Sequence, residues 1–263
     1  MRRRFFVEQF DTDSATLRGE TAEHLGRVLR AETGQLYELS DGRSVWLGRV
    51  ERIALKKRGE SRVEFALVEP IAAREPRLRV VLFVALVKFD RFEWCLEKAT
   101  ELGASEIVPL AAARSDKPLI AAAEKRRARW EKILLESSQQ SRRLRPPVLR
   151  FAVGAAGGHV EANAMFTPQS AFSECVAECK IILSERPDAP AMREVLADAQ
   201  SSQVPSVSQQ TAALAIGPEG GWTDDELASA RTSGFAETSL GENILRTETA
   251  VLASLAILGF ALG

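Results

Sequence analysis

Residues 211–222 run Thr211-Ala212-Ala213-Leu214-Ala215-Ile216-Gly217-Pro218-Glu219-Gly220-Gly221-Trp222, and residues 240–250 run Leu240-Gly241-Glu242-Asn243-Ile244-Leu245-Arg246-Thr247-Glu248-Thr249-Ala250. Both halves have one plan: an apolar strand-like run, a Gly-bearing turn, then a helix. Thr211 to Ile216 is short and apolar, as a buried strand is. The Gly217 to Gly221 turn lets backbone come close to a ligand, because glycine has no Cβ. Thr223, with Glu226 three residues on, is a capping box that starts a helix. Phe235 to Leu240 reads as the next strand and the apolar tail from Ile244 as the last helix. Two such loops at the carboxyl ends of strands are where an open α/β sheet binds its ligand.

Upstream, strands alternate with helices, which predicts a mostly parallel sheet covered on both faces. Val80 to Val87 is a continuous apolar strand. A helix follows through Leu102 and stops at Gly103. Ile107 to Ala111 is a second strand, and a long helix runs from about Ala122 to Arg142, ending before Pro146-Pro147. Ile181 to Ser184 is a third strand and Ala191 to Ala199 a helix. The segments Val153 to Pro168 and Ser201 to Gln210 read as connections.

Residues 1–72 follow a different rule. Arg4 to Phe10, Gln35 to Leu39, Val45 to Arg52 and Arg62 to Val68 are strand-like, with Thr21 to Leu29 helical between them. Asp41-Gly42 marks a hairpin, and Glu69-Pro70 closes the last strand. Short strands at this spacing predict a small barrel. Ile71 to Arg79 is the connector, so the expected division is 1–72 and 73–263.

The chain has 263 residues, 45% hydrophobic and 27% charged, with a net charge of −1. That composition suits a soluble globular protein with ample core. The charge is unevenly spread. Residues 1–150 hold 30 Lys and Arg against 22 Asp and Glu, while residues 151–263 hold 5 against 14. A basic first part, with Arg2, Arg3, Arg4, Arg27, Arg30, Arg43, Arg49, Lys56, Lys57 and Arg58, points to a polyanionic partner, with ordinary solvated Arg-rich faces as the alternative on charge alone. Three cysteines are too few for a disulfide framework, and Cys175 and Cys179, four apart, could share a helical face. With His24 and His159 alone, no four-ligand zinc site is expected. No signal-peptide core is present, and Val251 to Leu262 is too short to span a bilayer. The expectation is a cytoplasmic protein with neither membrane nor metal partner.

Motifs along nearly the whole chain resemble the RsmE group of the SPOUT methyltransferase superfamily. They are Arg4-Phe5-Phe6, His24-Leu25, Val28-Leu29-Arg30, Lys88 with Asp90-Arg91, Lys98 to Gly103, Gln140-Ser141-Arg142, Ile216 to Gly221 and Leu240 to Ala250. Phe89 and Gln139 depart from the family pattern, in the region expected to face RNA. The resemblance implies a PUA-like RNA-binding barrel followed by a SPOUT α/β domain with a C-terminal trefoil knot. It implies a homodimer that uses S-adenosylmethionine to methylate N3 of one uridine in small-subunit ribosomal RNA.

The residues can be assigned on that frame. Leu183, Ile216, Leu240, Ile244 and Leu245 would make an apolar slot for adenine, with Gly217, Pro218, Glu219, Gly220, Gly241, Arg246 and Thr247 completing the cofactor site. Methylating N3 requires loss of its proton, so a fixed cation would stabilise charge on the uracil oxygens. Arg246 is assigned that role, with an ion pair to Glu219 or Glu248 as its structural alternative. Glu219 and Glu248 are the carboxylates available as base or orienter. Arg3, Arg4, Arg27, Arg30, Lys88, Arg91 and Arg142 are expected phosphate contacts. Two other readings stay open: a SPOUT enzyme acting on another RNA or base atom, and an RNA-binding protein without catalysis. The intact Gly217 to Gly221 and Arg246 to Thr249 stretches favour an enzyme. No Gly-Lys-Ser/Thr phosphate loop is present, which disfavours nucleotide hydrolysis.

Overall fold

The computed structural model describes residues 3–56, 59–153, 162–201 and 209–263. Arg2, Lys57, Arg58 and His159, the centre of the 153–168 connection and most of the 201–210 loop lie outside the described residues. The chain forms two units, Met1–Glu75 with Leu135–Pro146, and Pro76–Leu134 with Pro147–Gly263.

In the first unit, strands β1 (Arg4–Phe6), β2 (Ser14–Arg18), β3 (Leu36–Ser40), β4 (Val45–Ala54) and β5 (Arg62–Ile71) form one sheet in the order β1-β3-β4-β5-β2. Only β1 and β3 are parallel. Alternation puts Phe5, Leu17, Leu39, Val50, Val63 and Phe65 inside, each no more than 2% exposed. This mixed sheet fits a small barrel. Asp41 makes its hairpin turn by accepting the amides of Arg43 and Ser44 on Oδ1, at 2.8 and 2.7 Å. Strand β2 was not anticipated, and β5 continues through Glu69-Pro70 with Pro70 opposite Trp46. Pro70 sits near the end of β5, where a missing amide disturbs the ladder least. Helix α1 (Gly19–Glu23) widens into a single π turn at His24–Val28.

The second unit is built on a six-stranded parallel sheet. Its strands are β6 (Leu78–Ala85), β7 (Ala104–Leu110), β8 (Val148–Leu149), β11 (Cys179–Leu183), β12 (Gln210–Ile216) and β13 (Ala236–Thr238), in the order β13-β11-β12-β6-β7-β8. Between β8 and β11, β9 (Ala152–Val153) and β10 (Ala162–Ala164) pair separately. Successive residues of β6 and β12 feed opposite cores, as period two requires. Leu82, Val84, Leu214 and Ile216 join α2 (Phe89–Glu101), α4 (Arg127–Gln140), α6 (Met192–Ser201) and α8 (Thr247–Leu262). Phe83, Ala85, Ala213 and Ala215 join α5 (Pro168–Ser173) and α7 (Asp224–Thr232).

Several local expectations change. The predicted helix from Ala122 to Arg142 is α3 (Lys117–Ala122), a tight turn at Glu124–Arg126, and α4. Cys175 and Cys179 share no helix, because α5 ends at Ser173 and Cys179 opens β11. Phe89 lies beneath the Arg126 guanidinium, 4.6 Å from ring centre to Cζ, and its ring is 6.0 Å from that of Trp130. Gln139 is 3% exposed. Both departures from the family pattern therefore sit against protein, where packing decides the residue.

Candidate functional site

The parallel order sets β12, β11 and β13 side by side, so their carboxyl ends open onto one place. A cavity of about 920 Å³ lies there, toward the upper end of the range for small-molecule sites. Leu183, Ile216, Gly217, Pro218, Glu219, Gly220, Leu240, Gly241, Ile244, Leu245 and Thr247 all line it. Two loops separated by 18 residues of chain (222–239) thus converge, as the repeated strand-turn-helix plan requires. Arg246 is not part of the lining. It is exposed at the N-cap of α8 with extended backbone, φ −65° and ψ 151°.

Local bonds hold the walls. Gly221 has φ 69°, and its amide closes a turn onto the Pro218 carbonyl at 2.9 Å. A side chain at Gly217 would put a Cβ 3.1 Å from the Trp222 indole. That indole is fixed by donating Nε1–H to the Leu183 carbonyl at 2.9 Å. Thr247 Oγ1 donates to the Gly217 carbonyl at 3.1 Å, tying the first turn of α8 to the first loop. The capping box of α7 is complete. Glu226 accepts the Thr223 amide on Oε2 at 2.8 Å, while Thr223 Oγ1 accepts the Glu226 amide. The same buried Glu226 accepts the Ala113 amide on Oε1 at 2.8 Å. Across the second loop, the amides of Gly241 to Leu245 donate to no other backbone group among the described residues.

The charged groups arrange themselves differently from expectation. Glu219 pairs with Arg91, and Glu248 Oε1 lies 4.0 Å from Arg91 Nε, so Arg91 is shared by two carboxylates. Glu248 Oε2 is buried without a hydrogen-bond partner. Beneath it, burial and then the nearby Glu248 charge push the Cys95 thiol up to about 12. Among the described residues no carboxylate lies within 4 Å of the Arg246 guanidinium, so the ion-pair alternative for Arg246 is not formed. Arg186, also on the cavity wall, pairs with Asp224 and approaches Glu237 at 3.9 Å.

The expected phosphate contacts divide into committed and open groups. Arg4 donates to Glu38 through Nε and Nη2 at 3.1 and 2.8 Å and is largely buried. Arg142 approaches the same carboxylate at 3.5 Å. Arg27 donates to the Lys56 carbonyl at 3.1 Å. Arg3, Arg30 and Lys88 are exposed. Arg30 and Arg142 hold left-handed backbone, φ 51° and 53°, which side chains other than glycine rarely adopt.

Sequence reasoning missed Arg114, which lines the cavity from the loop after β7. No motif marks it; only the sheet order brings residues 113–114 beside the 217–221 turn. Among the described residues no group of three or more His, Cys, Asp or Glu could hold a metal ion, and no helix is long and apolar enough to cross a membrane.

A family model described as an RNA methyltransferase domain matches residues 74–259. Ribosomal RNA small subunit methyltransferase E of Synechocystis sp. is 33% identical over 252 residues, covering 95% of this chain and 74% of that protein. The Bacillus subtilis protein of the same name is 30% identical over 262 residues, covering 97% and 92%. Among solved structures, the Neisseria gonorrhoeae ribosomal RNA small subunit methyltransferase E bound to S-adenosyl methionine superposes with a TM-score of 0.77 at 26% identity. That match covers 99% of this chain and 98% of the other.

Proposed function

The chain belongs to the ribosomal RNA small subunit methyltransferase E family, and on that premise we propose that it methylates N3 of one uridine in small-subunit ribosomal RNA, using S-adenosylmethionine. The observation that carries this reading is the cavity at the ends of β12, β11 and β13, walled by both Gly-bearing loops.

The residues present fit that methyl donor. Leu183, Ile216, Leu240 and Leu245 offer apolar wall for an adenine ring, and the Gly241 to Leu245 amides are open to its polar edge. Gly217 brings its backbone close against the Trp222 indole, where a Cβ would sit 3.1 Å from the ring. When bound, S-adenosylmethionine supplies a methyl group activated by a sulfonium. The chain's own groups do the rest. Arg246, with no carboxylate partner among the described residues, is assigned to stabilise negative charge on the uracil oxygens as N3 loses its proton. Glu219, on the wall and tied to Arg91, is assigned to receive or orient that proton. Glu248 steadies Arg91 from the first turn of α8.

The reading extends to a PUA-like RNA-binding barrel over residues 1–72 and a trefoil-knotted catalytic domain over 73–263, in a cytoplasmic enzyme. Exposed Arg3, Arg30 and Lys88 remain the open phosphate contacts. A homodimer is supported by apolar surface on α2 and α8, where Trp94 and Ile257 are exposed and Phe260 is 93% exposed.

The test is mass spectrometry of small-subunit ribosomal RNA from cells lacking the protein, before and after treatment with purified protein and S-adenosylmethionine. One new N3-methyluridine is expected. Methylation at another base atom, or none despite binding of the donor, would overturn the assignment of target.

A further inference from the structure

We propose that Arg114 is the rim cation that grips the phosphate of the nucleotide being methylated, an assignment that rests on the methyltransferase reading above. Arg114 is exposed and lines the cavity from the loop after β7. Its backbone is well anchored. The Ala113 amide is held by buried Glu226, and the Ser115 amide donates to the Ala112 carbonyl at 3.0 Å. Its side chain lies along the cofactor turn, where a Cβ at Gly220 would sit 3.4 Å from the Arg114 Cβ and Cδ. Nη1 donates to the Gly220 carbonyl at 2.7 Å.

One bond uses one of five guanidinium donors. Among the described residues no carboxylate lies within 4 Å of this guanidinium, whereas Arg186, the other arginine on the cavity wall, is paired with Asp224. Arg114 is therefore a pre-oriented cation at the rim with donors to spare. A base can enter a closed pocket only by rotating out about its own backbone, which leaves its phosphate at the rim. A planar guanidinium with parallel N–H groups matches a phosphate in two-point contact. A Cβ at Gly220 would meet the Arg114 stem at ordinary van der Waals distance, so the stem lies directly against the turn.

The experiment uses purified full-length protein and small ribosomal subunits from cells lacking it. Subunit affinity is measured between 50 and 200 mM salt, and S-adenosylmethionine affinity by calorimetry. For Arg114→Ala we expect subunit binding roughly tenfold weaker, a log–log salt slope shallower by about 0.9, and donor affinity unchanged. Arg114→Lys should restore the slope, because the charge returns, but only part of the affinity, because two-point contact does not.

Weaker donor binding with normal subunit binding would overturn the proposal and leave Arg114 as a strut for the Gly220 turn. No change in either affinity would overturn it as well. Thermal melts of both variants exclude loss of fold as the cause. Methyl transfer by the wild-type protein is read in parallel, so failure of the methyltransferase reading shows there, independently of the Arg114 comparison.

Discussion

The guanidinium of Arg91, in the first turn of α2, is hydrogen-bonded to the carboxylate of Glu219, 128 residues later in the turn that follows β12. This pair fastens a cavity-lining loop to a helix packed on the sheet. Both side chains are partly exposed, so the pair adds little to global stability, on the order of 1 kcal/mol or less. Its effect should be local. In a double-mutant cycle of Arg91→Ala and Glu219→Ala, we expect non-additive losses of S-adenosylmethionine affinity and nearly unchanged melting temperatures. Additive affinities measured by calorimetry would show that the pair does not hold the loop.

Arg246→Ala removes a cation that pairs with no carboxylate among the described residues and is exposed at the N-cap of α8. The fold should persist. Single-turnover methyl transfer at saturating donor should fall roughly 100- to 1000-fold. An unchanged rate would remove Arg246 from the chemistry.

Gly217→Ala sets a methyl group 3.1 Å from an indole whose N–H is already fixed on the Leu183 carbonyl. Either Trp222 or the turn must shift. We expect about 1–3 kcal/mol of destabilisation, weaker donor binding and a changed Trp222 fluorescence, read by denaturant titration and emission spectra. Retention of wild-type donor affinity would mean that the wall has slack.

Arg30 occupies φ 51° with an exposed side chain. Left-handed backbone costs a side-chain-bearing residue about 1 kcal/mol relative to glycine. Arg30→Gly should therefore stabilise the protein by about that amount while weakening RNA binding. A variant that gains stability and binds RNA as before would show that the arginine serves no phosphate.

Cys95 gives a pH prediction. Burial, assisted by the Glu248 charge, lifts its thiol from 9.0 to about 12. The folded thiol keeps its proton where the unfolded one loses it. Stability is thus complete below about pH 9 and falls as pH rises toward 12, by about 4 kcal/mol for a shift of that size. Comparing wild type with Cys95→Ala in urea across this range isolates the contribution. Parallel pH profiles for the two proteins would contradict it.

The sequence by itself determined a small mixed sheet followed by a parallel α/β sheet, and the two Gly-bearing loops that wall one cavity. Continuous apolar runs and capping chemistry act over a few residues, so Thr211 to Ile216, the turn after it and the Thr223–Glu226 box could be read directly. Eleven of the twelve residues assigned to the cofactor do line one cavity, because each strand-turn-helix unit aims its loop at the same edge of the sheet. Short strands such as β2 were not legible, since five residues without strong alternation carry little signal. Charge partners were less legible still. Whether Arg91 meets a phosphate or Glu219, and whether Arg246 has a carboxylate neighbour, depends on strand order across more than a hundred residues. Only the tertiary structure decides such pairings, because Coulomb interactions and hydrogen bonds act over a few ångströms of space, whatever the separation along the chain. Arg114 illustrates the point: nothing in its local sequence marks it, and the packing of β7, α7 and the 217–221 turn sets it on the rim.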